Sequence, residues 1–315
     1  MEYKKKVTTL FVLIAVLVLT YTATLVFSPE RTGTRAASYF WLDSRLAGRA
    51  ARIVISMAGE STELVKKNNQ WFVLNNGKEY PARQLRIEDF IDIFTERAAW
   101  PVRSSSAASH ARLGLDSESA SRITIYGENT TLLDILLGIE DSTGREIYLR
   151  KYGQNEVRSG DNTVISYLSG SANNWYNLRL IPESEDGRIA IDSVQRLSVY
   201  TDEAALIFTR RNREWTVSGL AVVNPDQNSI DSYVRSVLNA EGDDFNDTFN
   251  VDDHIFNFVR IVLELGTGGI KVIRLSEPDE SGRCYANIEG SQYVYSIAPW
   301  QVQRLFRNTS DFERQ

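Results

Sequence analysis

Apolar and polar residues follow three rhythms along this chain. From Val7 to Phe27 there is no alternation: Val, Leu, Ile and Phe dominate, and no charged residue interrupts them. As a helix rising about 1.5 Å per residue, this stretch spans about 31 Å, the hydrocarbon thickness of a bilayer. Lys4, Lys5 and Lys6 precede it, and the positive-inside rule keeps that end in the cytoplasm. The expectation is a single-pass protein of the inner (cell) membrane, with its N-terminus cytoplasmic and its body periplasmic or otherwise extracytoplasmic. A cleaved signal peptide would have a shorter apolar region and a small-x-small site, which Tyr21-Thr22-Ala23 matches poorly. Ser28 to Ala37 then reads as a polar spacer. Tyr39, Phe40 and Trp41 after it suit either an interfacial belt or a first core contact.

The body alternates with a period of two, broken by short stretches with a period near 3.6. Arg52-Ile53-Val54-Ile55 and Trp71-Phe72-Val73 read as half-buried strands joined by a polar turn. Ile87, Phe90, Ile91 and Phe94 fall on one stripe of an amphipathic helix. Strands resume at Arg122-Ile123-Thr124-Ile125-Tyr126.

The same succession then recurs. Leu64-Val65-Lys66-Lys67-Asn68-Asn69-Gln70-Trp71 aligns with Phe208-Thr209-Arg210-Arg211-Asn212-Arg213-Glu214-Trp215. At the same offset, Arg52 to Ile55 falls on Arg196-Leu197-Ser198-Val199. A second helical stripe, Ile230, Tyr233, Val234, Val237 and Leu238, follows Asn224-Pro225-Asp226. Arg260 to Glu264 resembles Arg122 to Tyr126, Gly282-Arg283 resembles Gly144-Arg145, and Tyr285 and Val294 resemble Tyr148 and Val157. Short helical segments around Val164 and Leu168, and around Val302, Leu305 and Phe306, close the halves. The fold expectation is therefore α+β: an N-terminal transmembrane helix, then two tandem, internally duplicated units of mostly antiparallel sheet with packed helices. The expected divisions are stub and anchor at 1–28, juxtamembrane spacer at 29–50, first unit at 51–181, linker at 182–190 and second unit at 191–315. The linker rests on the acidic stretch Pro182 to Gly187.

Composition narrows the chemistry. The net charge of −6 gives no electrostatic case for nucleic acid. A single cysteine, Cys284, excludes an intramolecular disulfide, and only His110 and His254 are available as imidazoles, so a zinc site is hard to assemble. Gly266-Thr267-Gly268-Gly269 superficially resembles a phosphate loop, but Ile270, Val272 and Ile273 continue it as a strand, which makes it a hairpin turn. Glu241, Asp243, Asp244, Asp247, Asp252 and Asp253 lack the ligand alternation of a calcium loop and read as a solvated acidic segment. Asp253-His254 could act as an oriented base, but no nucleophile elbow accompanies it. No catalytic, cofactor or metal residue is assigned. The candidate partner contacts are the basic hairpin tips, Lys66 and Lys67 in one half and Arg210, Arg211 and Arg213 in the other.

The chain resembles the bacterial family known as domain of unknown function 4340. The resemblance is carried by the Lys-rich start, the strand-turn unit ending at Trp71, Leu113-Gly114-Leu115-Asp116, and then Gly138, Gly144, Tyr148, Arg150 and Val157. Ser117-Glu118-Ser119 departs from it where a proline is expected. The resemblance implies a membrane-anchored accessory role, often beside the permease and ATPase of an ABC transport system. The functional expectation is a non-enzymatic accessory or scaffold protein with transporter subunits as partners. The alternative is an extracytoplasmic glycan- or small-ligand-binding module using Trp100, Trp175 and Trp300. A hydrolase resting on His254 is the third reading.

Overall fold

The computed structural model describes residues 39–313, except positions 58, 117, 119, 170, 182–188, 203–204, 219–224 and 308. It forms two compact units, the first ending at Trp175 and the second running from Tyr176 onwards. Tyr176 to Ile181 belong with the second: Leu180 N–H donates to Ala240 O (2.9 Å), and the Tyr176 and Phe245 rings meet edge to face.

The first unit is a nine-stranded antiparallel sheet. Its strands are β1 (Arg52–Met57), β2 (Glu60–Lys67), β3 (Gln70–Asn75), β4 (Lys78–Pro81), β5 (Val102–Ser104), β6 (Ser121–Tyr126), β7 (Thr131–Glu140), β8 (Glu146–Lys151) and β9 (Val157–Asp161), in the order β4-β3-β2-β1-β6-β7-β8-β9-β5. Pairing puts Ile53 opposite both Leu64 and Ile125, and Ile123 opposite Ile55 and Ile135. Because side chains alternate faces along a strand, these partners form one buried face. After the four-residue helix α1 (Ser44–Ala47), the single substantial helix is α2 (Gln84–Thr95), which turns Ile87, Phe90, Ile91 and Phe94 into the core. Trp41 is buried, and Tyr39 pairs with Ala98 through both backbone groups, so these aromatics are core contacts of the first unit.

The second unit repeats this plan with eight strands. They are β10 (Val194–Thr201), β11 (Ala205–Arg211), β12 (Glu214–Ser218), β13 (Asp244–Asn246), β14 (Val259–Leu265), β15 (Ile270–Leu275), β16 (Cys284–Ile288) and β17 (Val294–Ile297), ordered β12-β11-β10-β14-β15-β16-β17-β13. The order matches the first sheet strand for strand from β3 through β5. Helix α3 (Gln227–Leu238) answers α2, and α4 (Pro299–Leu305) takes the place of a six-residue 3-10 helix at Asn162–Tyr167.

The correspondence reaches individual bonds. Both tip turns place two consecutive residues at positive φ, Asn68 (49°) with Asn69 (63°) and Asn212 (50°) with Arg213 (69°), the geometry of a tight type I′ hairpin. The Gln84 side chain accepts from Trp71 N–H (2.8 Å) and donates to Trp71 O (3.0 Å), and Gln227 does the same for Trp215 (2.7 and 2.9 Å). Arg83 N–H donates to Trp175 O, as Asp226 N–H does to Phe312 O. Asp141-Ser142-Thr143-Gly144-Arg145 and Asp279-Glu280-Ser281-Gly282-Arg283 close equivalent hairpins. In each, the aspartate accepts from a hydroxyl two residues on and a backbone N–H four residues on. Those bonds, the Thr143 and Ser281 hydroxyls foremost, hold both carboxyls below the usual carboxylate range.

Two expectations are corrected. The class is mostly antiparallel β rather than α+β: two sheets supply nearly all the strands and core, and each unit carries only one helix of three turns. The 3.6-residue stripes are real where they occur, and the short helical segment expected around Val164 and Leu168 is a six-residue 3-10 helix, Asn162–Tyr167, with Leu168 at its C-terminal cap. The single-pass inner-membrane placement is also not supported. Among the described residues no helix is long and apolar enough to cross a membrane, and the expected anchor, Val7 to Phe27, lies outside them. The linker expected at Pro182 to Gly187 lies outside them too.

Candidate functional site

Lys66, Lys67 and Arg210 of the basic tips are engaged within their own units. Lys66 sits over the Trp71 ring, with Nζ 5.7 Å from the centroid, and Lys67 is ion-paired with Glu79. Arg210 donates to Ile191 O (2.9 Å) and Asp192 Oδ1 (2.7 Å), and its guanidinium lies 5.6 Å from the Trp215 ring centroid. Arg211 and Arg213 are exposed at the turn. The repeat explains this arrangement: each unit sets a cation on its buried tryptophan from the neighbouring strand.

The other candidates are scattered. His110 Nε2 lies 3.1 Å from Asn155 O in the first unit. His254 is exposed at the start of a 3-10 turn in the second, while the Asp253 carboxylate accepts from Asn250 N–H (2.8 Å). Gly266 to Gly269 turns β14 into β15, with Gly268 at φ 84°. In the acidic segment, Asp243 pairs with Arg283 at 2.5 Å. Among the described residues no three His, Cys, Asp or Glu side chains gather to hold a metal. Cys284 is fully buried in β16, and burial pushes its thiol up to about 12. Since the thiolate is the nucleophile, we expect Cys284 to resist iodoacetamide in native protein at pH 8 and to react once urea unfolds the chain. Rapid labelling of folded protein would contradict the placement.

The residues that carry the family resemblance meet at one place in the first unit. Leu113, Leu115 and Val157 share a buried cluster with Leu136, and Tyr148 packs against it. Buried Arg150 donates from Nε to Leu115 O (2.9 Å) and from Nη1 to Gln154 O (3.2 Å). Gly138 lies directly beneath Leu113 O. These side chains fasten the Leu113–Leu115 loop to the sheet, which is a structural task.

Duplication offers an internal control: what both units share serves the fold, and what one unit alone displays needs another reason. Of the tryptophans suggested for ligand stacking, Trp175 is fully buried against Phe90, and Trp100 is half-buried. Trp300 is 55% exposed. It opens α4 beside the last turn of α3, at a cleft of about 320 Å³ whose walls include Arg235, Asn239, Glu241 and Arg304. The Arg304 guanidinium stands 4.9 Å from the Trp300 ring centroid. Neither Arg235 nor Arg304 has a carboxylate partner among the described residues, whereas Glu241 is held by Arg179 at 3.4 Å. Counted from the starts of the matching segments, the first unit has Asp92, Thr163 and Tyr167 in place of Arg235, Trp300 and Arg304. There, Tyr167 is packed on Phe90 at 5.3 Å. The exposed indole and the two guanidiniums are therefore peculiar to the second unit. Aligning the two halves residue by residue would have singled out Trp300.

Comparison with known proteins adds the family. No curated protein matches the chain. One family profile, described as "Domain of unknown function (DUF4340)", matches residues 71–255, from β3 of the first unit to the turn before β14 of the second. The matched span includes Arg235 and Glu241 and stops short of Trp300 and Arg304. It covers more than half of the chain and takes in the Leu113–Leu115 loop with the glycine, tyrosine and arginine that fasten it, so the protein belongs to the DUF4340 family.

Proposed function

We propose that this protein is a non-enzymatic accessory or scaffold protein that works by binding a protein partner. One observation carries the reading: beside the repeated, structural features, the second unit gathers an exposed tryptophan and two arginines without a carboxylate partner around one cleft. Tryptophan and arginine dominate the binding energy of protein interfaces, because each combines a large flat surface with directional polar groups. Permease and ATPase subunits of an ABC transport system, the partners that the family resemblance implies, are the first candidates.

A pull-down of the tagged full-length protein in mild detergent, read by mass spectrometry, tests this. A partner in stoichiometric amount is the expected result. Recovery of the protein alone would remove the proposal's support. A glycan- or small-ligand-binding module is the second reading, and it draws on the same exposed indole, on which a sugar ring can stack. Trp175, with its ring in the core, lends that reading nothing.

A further inference from the structure

We infer that the groove along α3 of the second unit receives an acidic polypeptide segment, with an apolar side chain of that segment lying on Trp300. The inference rests on the partner-binding reading above and names the partner's chemistry.

Shape is the first argument. The Trp300 cleft does not end at the last turn of α3. A second concavity, of about 250 Å³, runs along the same helix and shares Ser236 with the first. Asn228, Ser232 and Ser236 of α3 line it together with Arg307 and Asp311, which are paired with each other at 3.8 Å. Together the two hollows follow α3 from its first turn to its last, a length of about 17 Å at the helical rise per residue. That run is filled by an extended segment of about five residues, whereas a single sugar ring or small ligand would occupy one end.

Charge complementarity is the second argument. The protein as a whole is acidic, with a net charge of −6. Against that background, two arginines without a carboxylate partner line one cleft with an exposed indole. A guanidinium binds a carboxylate through a two-pronged, charge-assisted hydrogen bond. Arginines elsewhere show the pairing chemistry within the protein: Arg122 is held by Asp134 (2.7 Å) and Arg103 by Glu146 (2.5 Å). At the groove, Arg179 and Arg307 are answered by Glu241 and Asp311, which leaves Arg235 and Arg304 to be answered from outside. The exposed part of the Trp300 indole accepts an apolar side chain.

Synthetic peptides on full-length protein provide the test, read by fluorescence anisotropy. The probe is a fluorescein-labelled decapeptide of glutamates with one central leucine. We expect saturable binding that weakens at least tenfold in the Arg235→Glu/Arg304→Glu double variant and about tenfold in Trp300→Ala. Both changes lie at the surface, and circular dichroism verifies folding. The double variant should in turn bind the lysine counterpart of the peptide, a gain that misfolding could not produce. An all-glutamate peptide without the leucine should bind more weakly than the probe. Equal binding by wild type and the variants would overturn the inference. So would binding of polygalacturonate through the same three residues with none of the peptide, which would make the site a glycan site. The pull-down separates this inference from the broader reading. A partner retained by all the variants leaves the scaffold function standing and refutes the groove, whereas absence of any partner removes the scaffold function itself.

Discussion

Replacing Trp215 with alanine is expected to destabilise the second unit by about 3–5 kcal/mol, as truncating a buried tryptophan does. The side chain is only 2% exposed, and every polar group of the residue is used. Its backbone N–H and C=O are bound by Gln227, and its indole N–H donates to Asp231 Oδ1 at 2.6 Å. The loss would therefore be a cavity under α3 together with a carboxylate left without its donor. Trp215→Phe isolates the second part: it fills most of the volume, drops the Asp231 bond, and should cost about 1–2 kcal/mol. Urea denaturation followed by far-UV circular dichroism measures both. A Trp215→Ala midpoint within error of wild type would mean that the tryptophan does not anchor the helix to the sheet.

That pair of tryptophans is also where sequence and structure agree most closely, and the reason is local. Asn68-Asn69 and Asn212-Arg213 form tight turns between adjacent strands, so the pattern that marks the hairpin and the contacts that build it are neighbours in the chain. The helical stripes are legible for the same reason, since Ile87, Phe90, Ile91 and Phe94 meet the core from consecutive turns. What was illegible depends on distant pairing. Val102-Arg103-Ser104 has no alternation of its own, yet it becomes an edge strand by pairing with β9. Asp244-Phe245-Asn246 reads as a solvated acidic segment and instead pairs with β17. There the neighbouring Asp243 meets Arg283, while at the matching edge of the first unit the charges are exchanged, Arg103 meeting Glu146. No local pattern encodes such a pair. The α+β class overweighted the helices because their stripes are conspicuous, whereas each sheet is assembled from strands of ten residues or fewer. Trp300 was visible as a residue but not as a site, because only the fold puts α4 beside α3 and brings the indole to one cleft with Arg235 and Arg304.

The second large effect concerns a glycine. Gly138→Ala is expected to cost about 3 kcal/mol, at the upper end of what forced overpacking costs. A Cβ at this position of β7 would stand 2.1 Å from Leu113 O and 2.9 Å from Leu115 Cγ. The first contact decides the outcome, because a backbone carbonyl cannot swing aside as a side-chain end can. The loop is held down on both sides of the clash. Leu115 N–H donates to His110 O (2.8 Å), Leu115 O accepts from Arg150, and Gly114 sits at φ 68° with Ile139 Cγ2 only 3.0 Å from where its own Cβ would be. Lifting the loop by more than 1 Å, as ordinary van der Waals spacing demands, would break the bond from Arg150 Nε to Leu115 O and leave that buried N–H without its acceptor, while the bond to Gln154 O stays. Gly144→Ala is the control. Gly144 adopts φ 65° with nothing within 4 Å of a Cβ, so its replacement meets only the backbone cost of the left-handed conformation, about 1 kcal/mol. Thermal and urea denaturation of the two variants should therefore rank Gly138→Ala well below Gly144→Ala. Equal or reversed midpoints would show that the Leu113–Leu115 loop yields freely and does not bind the first sheet together.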